Sequence, residues 1–360
     1  MEHKLFLPIQ FGAILLKNRV VMAPMTRSRA TADNIPTAIM AEYYAQRASA
    51  GLIITEGTSP SPNGVGYSRI PGIYNEKQIE GWKKVTDAVH QAGGHIFLQL
   101  MHSGRVGHQS NLPEGAEVLA PSAIAAQGQM YVDKLGMVDQ PVPREMTTAE
   151  VYAAIDEYVS AAKNAVAAGF DGVELHSANG YLIEQFINPG TNQRNDEFGG
   201  SLAARAQFLL KIAEQAAGEI GADKVGVRFS PYGVFNDMPA YNEVDDTYAY
   251  LSKKLNELGI LYVHVLDHSA GGAPPVPQTV KDIIRSSFKN KLIVCGGFDH
   301  QSADEILESG AADLVAFGKP YLANPDLVER FKTGAALAQP DFDKLYTPGP
   351  DGYSDYPALQ

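Results

Sequence analysis

Asn18–Arg29 reads NRVVMAPMTRSR, an apolar run over Arg19–Ala23 followed by a turn that contains no glycine. A doubly wound open sheet would place its Gly-rich dinucleotide fingerprint at this position, directly after the first strand. Its absence points to the other common parallel architecture, a closed barrel, and the rest of the chain supports that. Gly51–Gly57 (GLIITEG) and His95–Leu100 (HIFLQL) read as the second and third strands. Thr37–Ala50 and Glu76–Ala92 are the helices after the first two. The third helix is delayed until Thr148–Ala168, where Thr147 or Thr148 offers an N-cap oxygen and Glu150 an early acidic residue. Gly172–Leu175 pairs with a helix over Ser201–Glu219, Val225–Phe229 with Asp245–Leu258, and Leu261–Val265 with Val276–Ser286. Leu292–Val294 precedes Gln301–Ser309, and Leu314–Ala316 precedes Pro325–Phe331. Eight strand–helix units are what a (β/α)8 TIM barrel needs.

Two segments lie outside the repeat. Met101–Met146 is a long insertion between the third strand and its helix, rich in Gly, Pro and Gln; loops of this length are usually lids or carry small structure of their own. Tyr346–Gln360, rich in Gly, Pro and Tyr, is expected to pack across the barrel face. No linker or shift in composition divides the chain, so a single domain over residues 1–360 is expected, longer than the ~250 residues of a typical barrel.

Composition narrows the function. The net charge is −12 with no block of like charges, which argues against nucleic acid or an anionic membrane as partner. Cys295 is the only cysteine, so an internal disulfide, a cysteine-ligated iron–sulfur cluster and a Cys-rich zinc site are all excluded. Neither a secretory signal nor an apolar run of membrane length is visible, and a cytoplasmic enzyme is expected.

A TIM barrel presents its site at the C-terminal strand ends, so the residues following each strand are the candidates. They are Pro24, Met25 and Thr26; Gly57 and Thr58; Gln99 and His102; His176, Asn179 and Tyr181; Arg228 and Ser230; His264, Asp267 and His268; Cys295, Gly296 and Gly297; and Gly318 and Lys319. A Schiff-base lysine is missing from the earlier strand ends, and so are the paired histidines of barrel metallohydrolases. Only His264–His268 brings histidine and carboxylate together, and no metal is expected. Neutral hydrogen-bonding groups, one arginine and two Gly-rich ends suit a planar polar cofactor carrying a phosphate. The glycines after strands seven and eight could simply permit tight turns, but side by side they form the usual phosphate grip of this fold.

Several motifs, in order, resemble the old yellow enzyme family: NRVVMAPMTR (18–27), QRASAG (46–51), QLMHSGR (99–105), DGVELHSANGY (171–181), Asn192–Gly200, Ala316–Pro325 and GYSDYP (352–357). Within it, the chain looks most like bacterial reductases acting on N-ethylmaleimide and nitrate esters. The resemblance implies non-covalent FMN held by Ala23, Pro24, Met25, Thr26, Gly57, Gln99, Arg228, Gly296, Gly297, Gly318 and Lys319. Gln99 and Arg228 match the positions beside the isoalloxazine C2=O, where a fixed cation favours the reduced anion. Thr26 matches the hydroxyl on the flavin C4=O. His176 and Asn179 match the pair that holds the substrate oxygen, and Tyr181 matches the proton donor to the α-carbon. Tyr67, Met101, Phe235 and Tyr346 look like the substrate pocket.

The implied activity is an ene-reductase: NAD(P)H reduces FMN, which then reduces the C=C bond of an α,β-unsaturated carbonyl or nitro compound. A monomer or homodimer is expected. The chain departs from the family at three places. Met101 replaces a tryptophan, Lys319 replaces an arginine, and Ala203-Ala204-Arg205 replaces a more polar triplet that bears on helix capping. Two other readings remain open from sequence: a flavin-binding protein without a physiological reductase role, and a flavin-free barrel acting on a phosphorylated small molecule.

Overall fold

The computed structural model describes residues 3–359. Eight parallel strands close into a barrel: Val20–Met22, Leu52–Ile54, Ile96–Leu100, Gly172–Ser177, Val225–Phe229, Tyr262–Leu266, Lys291–Cys295 and Leu314–Phe317. Closure comes from the last strand pairing with the first, with Val315 opposite Val20 and Ala316 opposite Val21. Each strand lies within two or three residues of its sequence-based bounds.

Strand alternation sorts the side chains into two cores. Val20, Met22, Ile53, Leu98, Val173, Leu175, Val227 and Val263 face outward into the layer shared with the helices. Val21, Leu52, Ile54, Phe97, Tyr262, Ile293 and Leu314 face inward and fill the lower barrel. On the same inward register, higher up, sit Gln99, Glu174, His176, Arg228 and His264, all buried. The barrel is therefore apolar at the bottom and polar at the top. Gly226 marks the crossover: a Cβ there would overlap the Tyr262 ring.

Helices Ala38–Gln46, Glu76–Gln91, Thr148–Ala167, Val244–Glu257, Gln278–Ser287, His300–Glu308 and Leu327–Thr333 surround the strands as expected. Thr147, not Thr148, caps the third of these, in a reciprocal box with Glu150. The helix expected over Ser201–Glu219 is interrupted at Ala206, giving Leu202–Arg205 and Gln207–Ile220; Ser201 still caps its start by accepting from the Ala204 N–H. Two short helices, Leu182–Ile187 and Lys319–Ala323, add to the pattern beyond the fourth and eighth strands.

The insertion does carry structure of its own, an antiparallel hairpin of Gln129–Val132 and Gly136–Asp139 together with the short parallel pair Leu119–Ala120 and Arg144–Glu145. The C-terminal tail packs as expected: Tyr353 is fully buried and stacks on Tyr43 at 3.9 Å, and Arg27 donates to the Gly352 carbonyl at 2.6 Å. Sequence reading missed the N-terminal hairpin of Ile9–Phe11 and Ile14–Leu16. It stoppers the lower end of the barrel, with Phe11 fully buried against Phe97 and Tyr262 at ring distances of 5.9 and 5.4 Å. Phe11→Ala should therefore lower unfolding stability by about 3–5 kcal/mol, the range for a fully buried aromatic truncated to alanine. Denaturant melts of the two proteins measure this, and an unchanged midpoint would show that the hairpin only rests on the barrel.

Candidate active site

The polar upper layer of the barrel opens into a pocket lined by Pro24, Met25, Thr26, Arg27, Gly57, Gln99, Met101, His176, Asn179, Tyr181, Arg228, Phe235, Leu322, Leu345 and Tyr346. Twelve of these were expected from sequence. Arg27, Leu322 and Leu345 were not, although each lies next to or near an expected residue. Tyr67 stands one step back from the pocket and reaches it through its hydroxyl, 3.1 Å from that of Tyr181. Ala23, Gly296, Gly297, Gly318 and Lys319 do not line the cavity. Gly318 nonetheless abuts it, since a Cβ there would lie 3.5 Å from Met25 Sδ. Gly296 and Gly297 take φ of 135° and 70°, values that favour glycine and turn successive backbone N–H groups at the end of the seventh strand. Lys319 is exposed, its ammonium 5.0 Å from the centre of the Phe342 ring.

The floor of the pocket is organised by Glu174, which sequence reading did not single out. Gln99 Nε2 donates to one carboxylate oxygen at 2.8 Å. Tyr262 Oη donates to the other at 3.1 Å, and His264 Nδ1 lies 2.9 Å from that same oxygen. Burial pushes the Glu174 carboxyl up, but His264, Arg228 and Gln99 outweigh it and leave it below the usual range. Burial also lowers His264, against the pull of Glu174, so the contact is a neutral imidazole donating to a carboxylate. The signal available in sequence was a carboxylate two residues before His176 in an apolar strand, hence on the same inward face.

Arg228 is 4% exposed, and no carboxylate lies within 4.0 Å of it among the described residues. Its one side-chain hydrogen-bond partner among the described residues is Cys295 Sγ at 4.0 Å, and its Nε has no partner. His176 is 2% exposed with Nδ1 also unpartnered. Burial first, and Arg228 second, lower its pKa well below the ordinary value, so the imidazole is neutral. Tyr181 meets the His176 ring edge-on at 5.0 Å, and burial raises its phenol against the Tyr67 hydrogen bond, which keeps the proton in place. Buried donors without partners, a cation not matched by a contacting carboxylate and an apolar wall of Met25, Met101 and Leu322 make a slot for a flat, polar, electron-accepting ring. The orphaned Arg228 nitrogen and the turned glycines are what a phosphorylated flavin would satisfy, and the free His176 nitrogen is left for a second ligand above it. No group of three or more His, Cys, Asp or Glu side chains able to hold a metal occurs among the described residues, nor does a helix long and apolar enough to cross a membrane.

Comparison with known proteins agrees with this chemistry. The profile described as the NADH:flavin oxidoreductase / NADH oxidase family matches residues 4–338. A probable flavin mononucleotide-dependent alkene reductase of Leishmania infantum is 41% identical over 356 residues, 98% of this chain and 96% of that protein. The structure of an old yellow enzyme homologue from Zymomonas mobilis superposes with a TM-score of 0.95 at 40% identity, over 99% of this chain and 100% of that one. Morphinone reductase in complex with tetrahydroNAD superposes with a TM-score of 0.94 at 41% identity, over 100% and 98%.

The Glu174 network makes its own prediction. Glu174→Ala leaves the buried donors of Gln99, Tyr262 and His264 without an acceptor and Arg228 without its nearby charge. It should cost about 3–5 kcal/mol of stability, as breaking a buried charged network does, and Glu174→Gln should recover part of that. Thermal unfolding of both variants is the check, and an alanine variant as stable as the parent would show that water replaces the carboxylate.

Proposed function

The chain belongs to the NADH:flavin oxidoreductase / NADH oxidase family, and from that membership we propose how its pocket divides the work of an old yellow enzyme-like ene-reductase. It is an FMN-dependent oxidoreductase that uses a nicotinamide nucleotide as reductant. When bound, FMN would supply the two-electron hydride chemistry between the nicotinamide and the C=C bond of an α,β-unsaturated carbonyl or nitro compound.

The protein's part is binding, orientation and one proton. Gln99, Arg228 and Thr26, which line the same pocket, would hold the flavin ring by hydrogen bonds, with Arg228 supplying a fixed positive charge beside it. The Gly296-Gly297 turn and Gly318 would receive the phosphate through backbone N–H groups. Lys319 adds charge from the rim; being exposed, it contributes less than a buried contact would. His176 and Asn179 converge on the substrate oxygen. Two donors on one oxygen withdraw electrons from the conjugated system and leave the β-carbon open to attack.

Tyr181 gives its proton to the α-carbon. The observation that carries the reading is the grouping of neutral His176, Asn179 and protonated Tyr181 over the Arg228–Gln99 floor in one pocket. Met101, Phe235 and Tyr346 wall the substrate; Met101 is 1% exposed and packs where a Cβ on Gly57 would lie 2.5 Å from its sulfur. A methionine there lets the wall adapt to substrates of different width. Nicotinamide and unsaturated substrate would occupy this one pocket in turn, which gives ping-pong kinetics.

The experiment separates the two half-reactions. The protein should purify yellow with a single non-covalent FMN per chain. In anaerobic stopped flow, Tyr181→Phe should leave reduction by the nicotinamide nucleotide unchanged and slow reoxidation by an enone such as 2-cyclohexenone by about 10²–10⁴-fold, the range for a lost general acid. Equal slowing of both halves would assign Tyr181 to packing, and a protein that takes up no flavin would remove the reading altogether.

A further inference from the structure

Asn179 is held more completely than a substrate-binding side chain requires. It adopts φ of 59°, in the left-handed region that asparagine tolerates better than most residues. Its N–H donates to Ser230 Oγ at 2.9 Å, and its carbonyl accepts from Asn236 Nδ2 at 2.8 Å. Ser230 in turn donates to Glu184 at 3.0 Å, and the Gly180 N–H donates to the same carboxylate at 2.6 Å. The peptides on both sides of Asn179 are thereby tied to the loop after the fifth strand. The side-chain carbonyl Oδ1 lies 2.7 Å from His268 Nε2, on the loop after the sixth strand. Only the amide NH2 has no protein partner among the described residues, and Asn179 lines the pocket.

The polarity of that amide decides what the pocket can hold. Turned one way, it offers N–H beside His176, and the pair can carry a developing oxyanion. Turned the other way, it offers a carbonyl oxygen that would repel one. His268 reads the difference. Burial first, then Arg228, lower its pKa against the pull of Asp267, so the ring is neutral and carries a single N–H. An amide oxygen only accepts, so a contact of 2.7 Å places that proton on Nε2. The imidazole is itself fixed, stacked on Phe235 with ring centres 5.8 Å apart and planes 13° apart. The preceding Asp267 anchors the loop by accepting from Lys281 at 2.8 Å and from the Ser269 N–H at 3.0 Å.

We propose that His268 is a positioning residue for the oxygen site: by donating Nε2–H to Asn179 Oδ1, it fixes the Asn179 amide with its NH2 presented to the substrate oxygen. This rests on the reading that His176 and Asn179 hold that oxygen. His268 does not line the pocket; it determines which end of the amide a bound ligand meets. Its contact with Phe235 also links the oxygen site to the substrate wall, so one residue ties together the loops after the fourth, fifth and sixth strands.

The test uses the FMN-loaded enzyme with p-chlorophenol as a non-reducible probe whose phenolate stacks on the oxidised flavin and gives a long-wavelength absorbance band. His268→Phe keeps a ring against Phe235 and deletes the donor. His268→Gln supplies an amide N–H in its place. Asn179→Ala reports whether the oxygen site is correctly placed at all. We expect His268→Phe to retain flavin, to raise the pKa of the bound phenol and to weaken phenolate binding about three- to tenfold, the effect of one lost hydrogen bond. His268→Gln should return binding to within about twofold of the parent, because a donor is restored. If Asn179→Ala weakens phenolate binding and His268→Phe does not, the oxygen site stands and the role of His268 falls. If Phe and Gln at 268 weaken it equally, the ring and not its proton matters, and the inference falls likewise. If Asn179→Ala leaves binding and pKa unchanged, both the oxygen site and the inference are overturned.

Discussion

Everything in the site depends on burying charge at the top of a barrel whose bottom is dry. Glu174 and Arg228 lie on neighbouring strands and both face inward, where an isolated ion would cost several kcal/mol. Glu174 is tolerated because Gln99, Tyr262 and His264 surround its two oxygens. Arg228 is not balanced in the same way: it feels Glu174 at a distance, but its Nε is unpartnered and its nearest side-chain acceptor is a sulfur. The protein therefore presents a cation at the pocket floor that is satisfied only in part. Burial first, and Arg228 second, lower the basicity of His176 and His268, which keeps both imidazoles neutral and able to act as donors. The same buried guanidinium thus bears on two imidazoles at the top of the barrel.

The scaffold converts this electrostatic layer into geometry. Strand alternation puts Gln99, Glu174, His176 and Arg228 on one inward ring with no loop involved, so their spacing is as rigid as the barrel. Asn179 and Tyr181 follow on a turn, where precision has to be supplied by hydrogen bonds: Ser230, Asn236 and His268 on Asn179, and Tyr67 on Tyr181. The N-terminal hairpin closes the lower end of the same barrel and shields the polar layer from beneath, while the tail packs at its upper end on Arg27 and Tyr43.

Much of this was legible in sequence, for identifiable reasons. The barrel strands were readable because each is an apolar run bounded by turn residues, and the site residues because a barrel gathers its strand ends. The hairpin was not, because Ile9–Phe11 and Ile14–Leu16 are three residues each, too short for a period to show. Gly12 between them, at φ of 57°, was the available hint. Glu174 was hidden by its apolar neighbours, and only the two-residue step to His176 gives it away. His268 was visible as a strand-end histidine, but its partner lies 89 residues earlier, a pairing that needs the closed barrel to be seen. Lys319 follows the Gly-rich end of the eighth strand in sequence, but the place of its ammonium, 5.0 Å from the Phe342 ring centre, depends on the folded tail and was not legible.

The central claim is that Arg228 presents a fixed positive charge to the flavin ring and so favours the reduced cofactor as an anion. The pH dependence of the two-electron midpoint potential of the bound FMN tests this directly. Uptake of two electrons with one proton gives a slope of about 30 mV per pH unit, and with two protons about 59 mV. The account predicts the shallower slope across the range from about pH 5.5 to about pH 8 in the parent, and a change toward the steeper one in Arg228→Met at the acid end. A slope near the steeper value throughout in the parent protein would contradict it.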